Sequence, residues 1–184
     1  MKTLKMTLLL FFVLGMTSCM NNSSSNITMP NDAFKNMTAK EIVESGVSIN
    51  ATMNELEDME REAVSRSGQD ERPLWAIPAY RAAHYRFVTH AKQDENGILT
   101  WTATCGADLN MSDDLFNFFV DDFTKNNEFV QDNINKGIKC TPIWINEEYL
   151  SNILSDEFVT TRLKELKELR QQIESGEIKV LNQK

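Results

Sequence analysis

The feature that most constrains the fold is a series of segments that begin with a helix-capping residue and end at a glycine. Thr38 is followed three residues later by Glu41, and Thr52 is followed by Glu55 at the same spacing. Each pair can form a capping box, in which each side chain accepts a hydrogen bond from the other residue's backbone N–H. Glycine is the typical C-terminal stop of a helix, and these two segments end at Gly46 and Gly68. Both are therefore predicted to be helical.

Three more helices are predicted in the second half of the chain. Ser112 can cap a helix that ends near Gly137, with these apolar side chains on one face: Phe116, Phe119, Val120, Phe123, Val130 and Ile134. Residues 147–154 predict a short helix. Ser155 can cap a last helix over 156–175, with an apolar face expected to point into the core: Val159, Leu163, Leu166, Leu169 and Ile173.

Between these helices, residues 82–109 predict a β-hairpin. The stretches "AAHYRFVTHAKQ" (82–93) and "ILTWTATCGADL" (98–109) are taken as strands that flank a turn. A three-residue loop over 95–97, with Gly97 left-handed, pairs Ala91 with Trp101 and Phe87 with Cys105. This register places the apolar residues on one face, whereas a two-residue turn would move Phe87 to the face of the threonines.

The fold class predicted from these elements is α+β, with helices packed on a small, mostly antiparallel sheet built around the hairpin. Residues 138–146 are apolar and rich in β-forming side chains, but Pro142 restricts them to a sheet edge or a bulge. Residues 177–181 predict a final strand.

The chain opens with a short apolar segment that stops at a cysteine. Lys2 and Lys5 precede an apolar run over residues 6–16, which is about half the length that a membrane-spanning helix needs. A basic start, a short apolar run and small residues after it are typical of an export signal. The residues Met16-Thr17-Ser18-Cys19 resemble the cleavage box of bacterial lipoproteins, with Met in place of the usual Leu.

This resemblance implies cleavage before Cys19 and attachment of acyl chains, such as palmitate, to that cysteine. Two or three acyl chains hold a protein at a membrane where one chain does not. Met20 stands where Asp would favour retention in the inner membrane, so the resemblance implies an outer-membrane location, with the leaflet left open. The alternative is an ordinary secretory signal in which Cys19 has no role.

The predicted organisation is a signal peptide over 1–18, a flexible tether over 19–36 and one α+β domain over 37–184. The tether is rich in Asn and Ser, a composition that buries little and suits a spacer, and it looks like the tethers of Bacteroidetes lipoproteins. Loss of Lys2 and Lys5 with the signal changes the net charge of −8 to about −10. Binding to nucleic acid is disfavoured, because phosphate contacts require a basic face.

Five side chains besides the lipidation site are the candidates for ligand contact or a disulfide. His84, Arg86 and His90 lie close in sequence and could contact a ligand. On a strand, however, the two histidines would be about 20 Å apart, and on a helix they would point about 120° away from a shared face, so no metal site and no cofactor are predicted. Cys105 could form a disulfide with Cys140, since paired cysteines are common in an oxidising compartment.

No motif identifies a reaction. The favoured interpretation is a binding or scaffolding module that is held at the membrane by its lipid anchor, with another envelope protein or a glycan as partner. One alternative is a hydrolase-like envelope enzyme whose site is assembled around His84, Arg86 and His90. The other is a carrier of a small apolar ligand, with a cavity among Trp101, Phe119 and Phe123.

Overall fold

A computed structural model describes residues 27–28, 34, 36–58, 73–138 and 144–176. Within these ranges the chain is an α+β structure dominated by helices, as predicted. The α-helices with defined bounds are α1 (Ala39–Ser45), α2 (Pro78–Thr89), α3 (Asp113–Asn135), α4 (Glu147–Leu154) and α5 (Asp156–Glu174). The strands are β1 (Ile27–Thr28), β2 (Ile49–Asn50), β3 (Ala91–Gln93) and β4 (Leu99–Trp101). Residues 53–58 are also helical, and 3-10 turns cover Leu74–Ala76 and Gly106–Leu109.

The predicted helix caps are confirmed. The backbone N–H of Glu41 donates to the Thr38 hydroxyl at 3.2 Å, and the Glu41 carboxylate accepts from the Thr38 backbone N–H at 2.7 Å. Two hydrogen bonds to its carboxylate lower the pKa of Glu41, the one from the Thr38 backbone N–H most and the one from the Thr38 hydroxyl next. Thr52 and Glu55 form the same box. Ser112 and Ser155 cap α3 and α5.

Three of the predicted glycine stops are also confirmed, because they have the left-handed backbone that glycine tolerates best: Gly46, Gly137 and Gly176. Gly68 and the end of the second predicted helix lie outside the described residues.

The prediction of a long first hairpin strand is wrong. Residues 78–89 form helix α2, so the predicted pairing of Phe87 with Cys105 does not exist. Pro78 stands at the first helical position, which suits proline because its missing N–H is not needed there. The buried residues Ala79, Ala82, Ala83 and Phe87 then recur with helical spacing. The alternation that suggested a strand is a coincidence within this pattern.

The turn of the hairpin and its short ladder are confirmed. Ala91 pairs with Trp101 and Gln93 pairs with Leu99, in antiparallel orientation. The backbone N–H of Asp94 donates to the carbonyl of Ile98, which closes a three-residue loop, and Gly97 has a φ of 89°. The second strand is shorter than predicted, because the chain after Trp101 leaves the ladder and turns into the 3-10 helix at Gly106.

A second, parallel pairing was not predicted. Strand β1 pairs with β2. Ile49 of β2 also forms an isolated parallel β-bridge to Met111. Phe34 is also buried in the core. Ile27, Thr28 and Phe34, which lie within the predicted tether over 19–36, therefore contact the folded part of the chain.

The core forms around α2, which packs against α1 on one side and against α3 and α4 on others. Its largest fully buried side chains include Phe87 and Phe119, with Ile42, Ile49, Leu56 and Leu115 around them. Helix α3 runs unbroken from Asp113 to Asn135, and its apolar face is buried at Phe116, Phe119 and Val130 but not at Ile134.

Of the predicted edge strand, residues 139–143 lie outside the described residues, and residues 144–146 are not in a strand. The final strand over 177–181 also lies outside them.

The inward orientation predicted for the apolar face of α5 is wrong beyond its first turns. Val159 is buried and Leu163 is partly buried. Leu166, Leu169 and Ile173 are 38%, 42% and 39% exposed, respectively. Helix α5 contacts the body of the domain near its start and carries the rest of its apolar face in solvent.

Candidate functional site

Arg86 on α2 is buried and donates hydrogen bonds to three backbone carbonyls. Its Nη1 donates to the carbonyls of Val47 and Asn110, both at 2.8 Å, and its Nη2 donates to the carbonyl of Ile42 at 2.9 Å. Only 7% of the residue is exposed, and burial lowers its pKa. These contacts join the end of α1 to the turn before α3. Arg86 is therefore committed to the fold rather than available to a ligand.

His90 is the C-cap residue of α2 and is exposed. Its Nδ1 lies 2.8 Å from the carbonyl oxygen of Arg86, a contact in which the protonated ring nitrogen donates. A donor at this position satisfies one of the carbonyls that a helix end leaves free. The contact accounts for His90 as a helix-end residue.

His84 lies among aromatic rings. Its ring stacks on Phe119 with centroids 5.6 Å apart and an interplanar angle of 21°. Phe123, Tyr80 and Tyr149 complete the surroundings at 5.8, 6.2 and 6.1 Å. The Tyr149 hydroxyl lies 3.4 Å from Nε2. Burial lowers the pKa of His84 to about 4, so the ring is neutral near pH 7.

These three side chains do not converge on one point. His84 and Arg86 are two residues apart on a helix and project about 200° from each other. Arg86 reaches α1 and the turn before α3, whereas His84 reaches α3 and α4. His84 is helical and His90 is the helix cap, so the two histidines do not lie on one strand.

The predicted cavity among Trp101, Phe119 and Phe123 is a region of packed rings. Phe87 stacks on Phe123 with centroids 5.2 Å apart and an interplanar angle of 7°. Phe87 also contacts Phe119 at 5.5 Å and Trp101 at 5.6 Å. The ring of Phe87 thus occupies the space between the three side chains.

Cys105 is partly buried at the start of the second 3-10 turn, where its backbone N–H donates to the carboxylate of Asp108. Its thiol is not free. Cys140 and Cys19 both lie outside the described residues, so the disulfide with Cys140 and the lipidation of Cys19 stay predictions.

A groove of about 320 Å³ lies where α1, α2 and α5 begin. Both polar and apolar side chains line it, and Met37, Ala76, Val159 and Leu163 supply the apolar ones. Arg81 lies in its wall and is only 4% exposed. The Arg81 guanidinium bonds the carbonyl of Ile153 and forms an ion pair with Asp156, which ties α2 to α5.

This groove is not an anion site. The Nε of Arg81 has no acceptor among the described residues, but it is sealed from solvent. Asp156 already supplies a carboxylate to the same guanidinium, and the Glu41 carboxylate lies close enough to interact electrostatically with Asp156. A bound anion would meet two negative charges for one positive charge.

The apolar surface continues from Leu163 in this groove along α5 to Leu166, Leu169 and Ile173; we call these four residues the α5 stripe. The sequence pattern predicts that these residues point into the core, so it does not reveal an exposed stripe. A signal was available, since Arg162 and Arg170 lie on the same helix face as the leucines. Unpaired arginines are rarely buried, so a face that contains two of them is a poor candidate for a core.

Among the described residues, no group of three or more His, Cys, Asp or Glu side chains could hold a metal ion. In the same part of the chain, none of the helices combines the length and the apolar character that crossing a membrane requires.

Comparison with known proteins gives no relative: no family model, no curated protein and no solved structure matches this chain.

Proposed function

We propose that this chain is a lipid-anchored protein of the bacterial cell envelope whose folded domain binds another protein without catalysing a reaction. The observation that carries the binding role is the α5 stripe, in which Leu166, Leu169 and Ile173 are each about two-fifths exposed. Contiguous exposed apolar side chains are unfavourable in water, and where they persist they commonly mark an interaction site.

The shape of this surface also supports a binding role. The stripe begins in the groove at Leu163 and extends along the free part of α5. Apolar side chains at this spacing are the surface that one helix presents to another in helix-in-groove recognition. Arg162 and Arg170 border it with polar groups, and a polar rim is typical of protein interfaces.

A catalytic role has less support. Catalysis by His84, Arg86 or His90 would require a reacting group within hydrogen-bond reach of two of them. Arg86 donates to three backbone carbonyls, His90 contacts the carbonyl of Arg86 at the helix end, and the ring of His84 packs among aromatic rings.

The binding role is tested by a photoreactive residue on the α5 stripe. A benzophenone amino acid in place of Leu169 is expected to give a crosslink to another protein when the full chain is expressed and irradiated in its native cells. The matched control is the same residue in place of Lys164, whose side chain is 79% exposed and lies on the opposite face of α5. Absence of a crosslink from Leu169, or equal crosslinks from both positions, would contradict the binding role.

The anchor rests on the resemblance of Met16-Thr17-Ser18-Cys19 to the lipoprotein cleavage box. Mass spectrometry of the native protein is expected to show a chain that begins at Cys19 and carries acyl chains. The variant Cys19→Ser is expected to remain an unlipidated precursor. A native chain without acyl groups would refute the anchor and leave the binding role to its own test.

A further inference from the structure

The α5 stripe contains two positive charges as well as apolar side chains. On a helix with 3.6 residues per turn, Val159 and Ile173 lie within about 20° of Leu166 around the axis, and Leu163 and Leu169 lie about 60° to either side. Arg162 and Arg170 lie about 40° to either side, between these apolar positions. Any partner that covers the stripe must therefore cover or approach both guanidinium groups.

Both arginines are accessible. The side chain of Arg162 is 54% exposed and pairs with Glu165 on its own helix at 3.0 Å. Arg170 is exposed, and no described residue forms an ion pair with it. Eight residues separate them, which corresponds to about 12 Å along the helix axis.

A second copy of this chain fits the stripe poorly. If two α5 helices pair antiparallel about Leu166, Arg162 of each copy faces Arg170 of the other. If they pair in parallel and in register, each arginine faces its own counterpart. Like charges that face each other across an interface destabilise it. Both the antiparallel and the parallel pairing would place arginine opposite arginine on the stripe.

A membrane surface also fits poorly. Helices that lie on membranes carry a basic polar face that is attracted to anionic lipid. Helix α5 has nearly balanced charges, with four basic residues, Arg162, Lys164, Lys167 and Arg170, and five acidic ones, Asp156, Glu157, Glu165, Glu168 and Glu174. It therefore lacks the electrostatic component of such binding.

We propose that the α5 stripe binds an amphipathic helix of a different protein, with carboxylates that face Arg162 and Arg170. The partner helix carries apolar side chains at helical spacing, and it carries Asp or Glu about two turns apart. The apolar contacts cover Leu166, Leu169 and Ile173, and the carboxylates pair with the two guanidinium groups. This inference rests on the binding role proposed above and specifies its partner.

The test uses two fluorescent 21-residue peptides as probes. Both have leucine at the first and fourth positions of each heptad; one has glutamate at the flanking positions and the other has lysine there. Binding to the lipidated full chain in nanodiscs is measured by fluorescence anisotropy, with empty nanodiscs as the blank. Salt at about 0.15 M screens charges farther away than about 8 Å, so the two arginines rather than the net charge of the chain set the preference.

The glutamate peptide is expected to bind about tenfold more tightly than the lysine peptide, as two exchanged ion pairs allow. The double variant Arg162→Glu with Arg170→Glu is expected to reverse this preference. The control Lys164→Glu with Lys167→Glu makes the same change in net charge away from the stripe centre and is expected to leave the preference unchanged.

Equal binding of the two peptides, or equal effects of the two double variants, would overturn the proposed partner. So would a Leu169 crosslink that joins two copies of the chain or joins the chain to lipid. A Leu169 crosslink to another protein, combined with no peptide preference, overturns this inference and leaves the binding role intact. Loss of that crosslink refutes the binding role itself.

Discussion

Helices α2 and α5 distribute polar and apolar side chains in opposite ways. Helix α2 lies at the centre of the domain and buries two arginines, Arg81 and Arg86. Helix α5 lies at the margin and exposes Leu166, Leu169 and Ile173. The buried arginines are tolerated because backbone carbonyls and Asp156 accept hydrogen bonds from both guanidinium groups. The comparison teaches that position in the fold, rather than side-chain polarity alone, decides which face of a helix is buried.

The largest expected effect on stability follows from removing the buried guanidinium of Arg86 on α2. Arg86→Met is expected to lower the free energy of unfolding by about 3–5 kcal/mol, because three carbonyls lose their donor in the interior. Arg170→Met on α5 makes the same chemical change at an exposed position and is expected to alter it by less than about 0.5 kcal/mol. Urea denaturation of both variants measures the difference. Equal effects would show that the two helices do not differ in this respect.

The next effect depends on pH and concerns His84. Burial lowers its pKa in the folded protein to about 4, against 6.5 for an unperturbed histidine side chain. Between these pH values the unfolded chain binds a proton that the folded chain does not, so stability falls as the pH is lowered through this window. The loss is about 3 kcal/mol, most of it reached by pH 4, and it levels off only about one pH unit lower, where the folded protein is protonated as well.

His84→Phe keeps an aromatic ring in the cluster and removes the titrating group. Wild type and variant are compared by urea denaturation at several pH values from 7 to about 4. The unfolding free energy of the variant minus that of wild type is expected to increase as the pH is lowered, because only the wild type loses stability through His84. A constant difference would show that the ring of His84 is open to solvent.

A smaller effect is expected at the junction of the two helices. Asp156→Ala removes the carboxylate that pairs with the buried guanidinium of Arg81, and is expected to lower stability by about 1–2 kcal/mol. The effect is moderated because the side chain of Asp156 is 51% exposed and water can partly replace it.

Glu157→Ala, at the next position in the same first turn of α5, serves as the control. It removes a carboxylate that also interacts favourably with the helix dipole, and it is expected to lower the free energy of unfolding by less than about 0.5 kcal/mol. Thermal unfolding of both variants at one pH tests this. An equal loss would mean that the Arg81–Asp156 pair contributes nothing beyond its position at the helix start.

The smallest effect on stability is expected on the α5 stripe. The double variant Leu166→Gln with Leu169→Gln is expected to leave the free energy of unfolding within about 0.5 kcal/mol of wild type, because these side chains pack little in the monomer. The same variant is expected to abolish the crosslink from a photoreactive residue at Ile173. A large loss of stability would indicate that the stripe belongs to the core.

The helix ends could be predicted because their signals are local. A capping box joins residues three apart, so Thr38 with Glu41 and Thr52 with Glu55 needed no knowledge of the rest of the chain. The loop at Gly97 was predictable for the same reason, since the turn type and the alternation beside it fix the register within a few residues.

Residues 82–89 were misassigned because short apolar runs can fit both a strand and a helix period. What selects the helix is contact with distant segments. Arg86 is held by carbonyls at positions 42, 47 and 110, and Phe87 packs on rings of α3. Likewise, β1 pairs with β2 across some twenty residues, and no local pattern at Ile27 indicates that partner.

For the candidate site, too, the sequence shows which residues are polar or apolar but not which neighbours surround them. His84, Arg86 and His90 were selected because they are polar and close in sequence, yet their roles depend on neighbours that sequence proximity does not reveal. The α5 stripe was recognised as apolar, but its exposure depends on which elements lie beside α5.

The amino-acid sequence by itself determined the ends of α1, α3, α4 and α5, the hairpin loop and the α+β class, because hydrogen bonds between near neighbours decide these features. Only the tertiary structure decided which faces meet. It placed two arginines inside and three large aliphatic side chains outside, because burial is set by the sum of contacts from distant segments and not by the polarity of one helix.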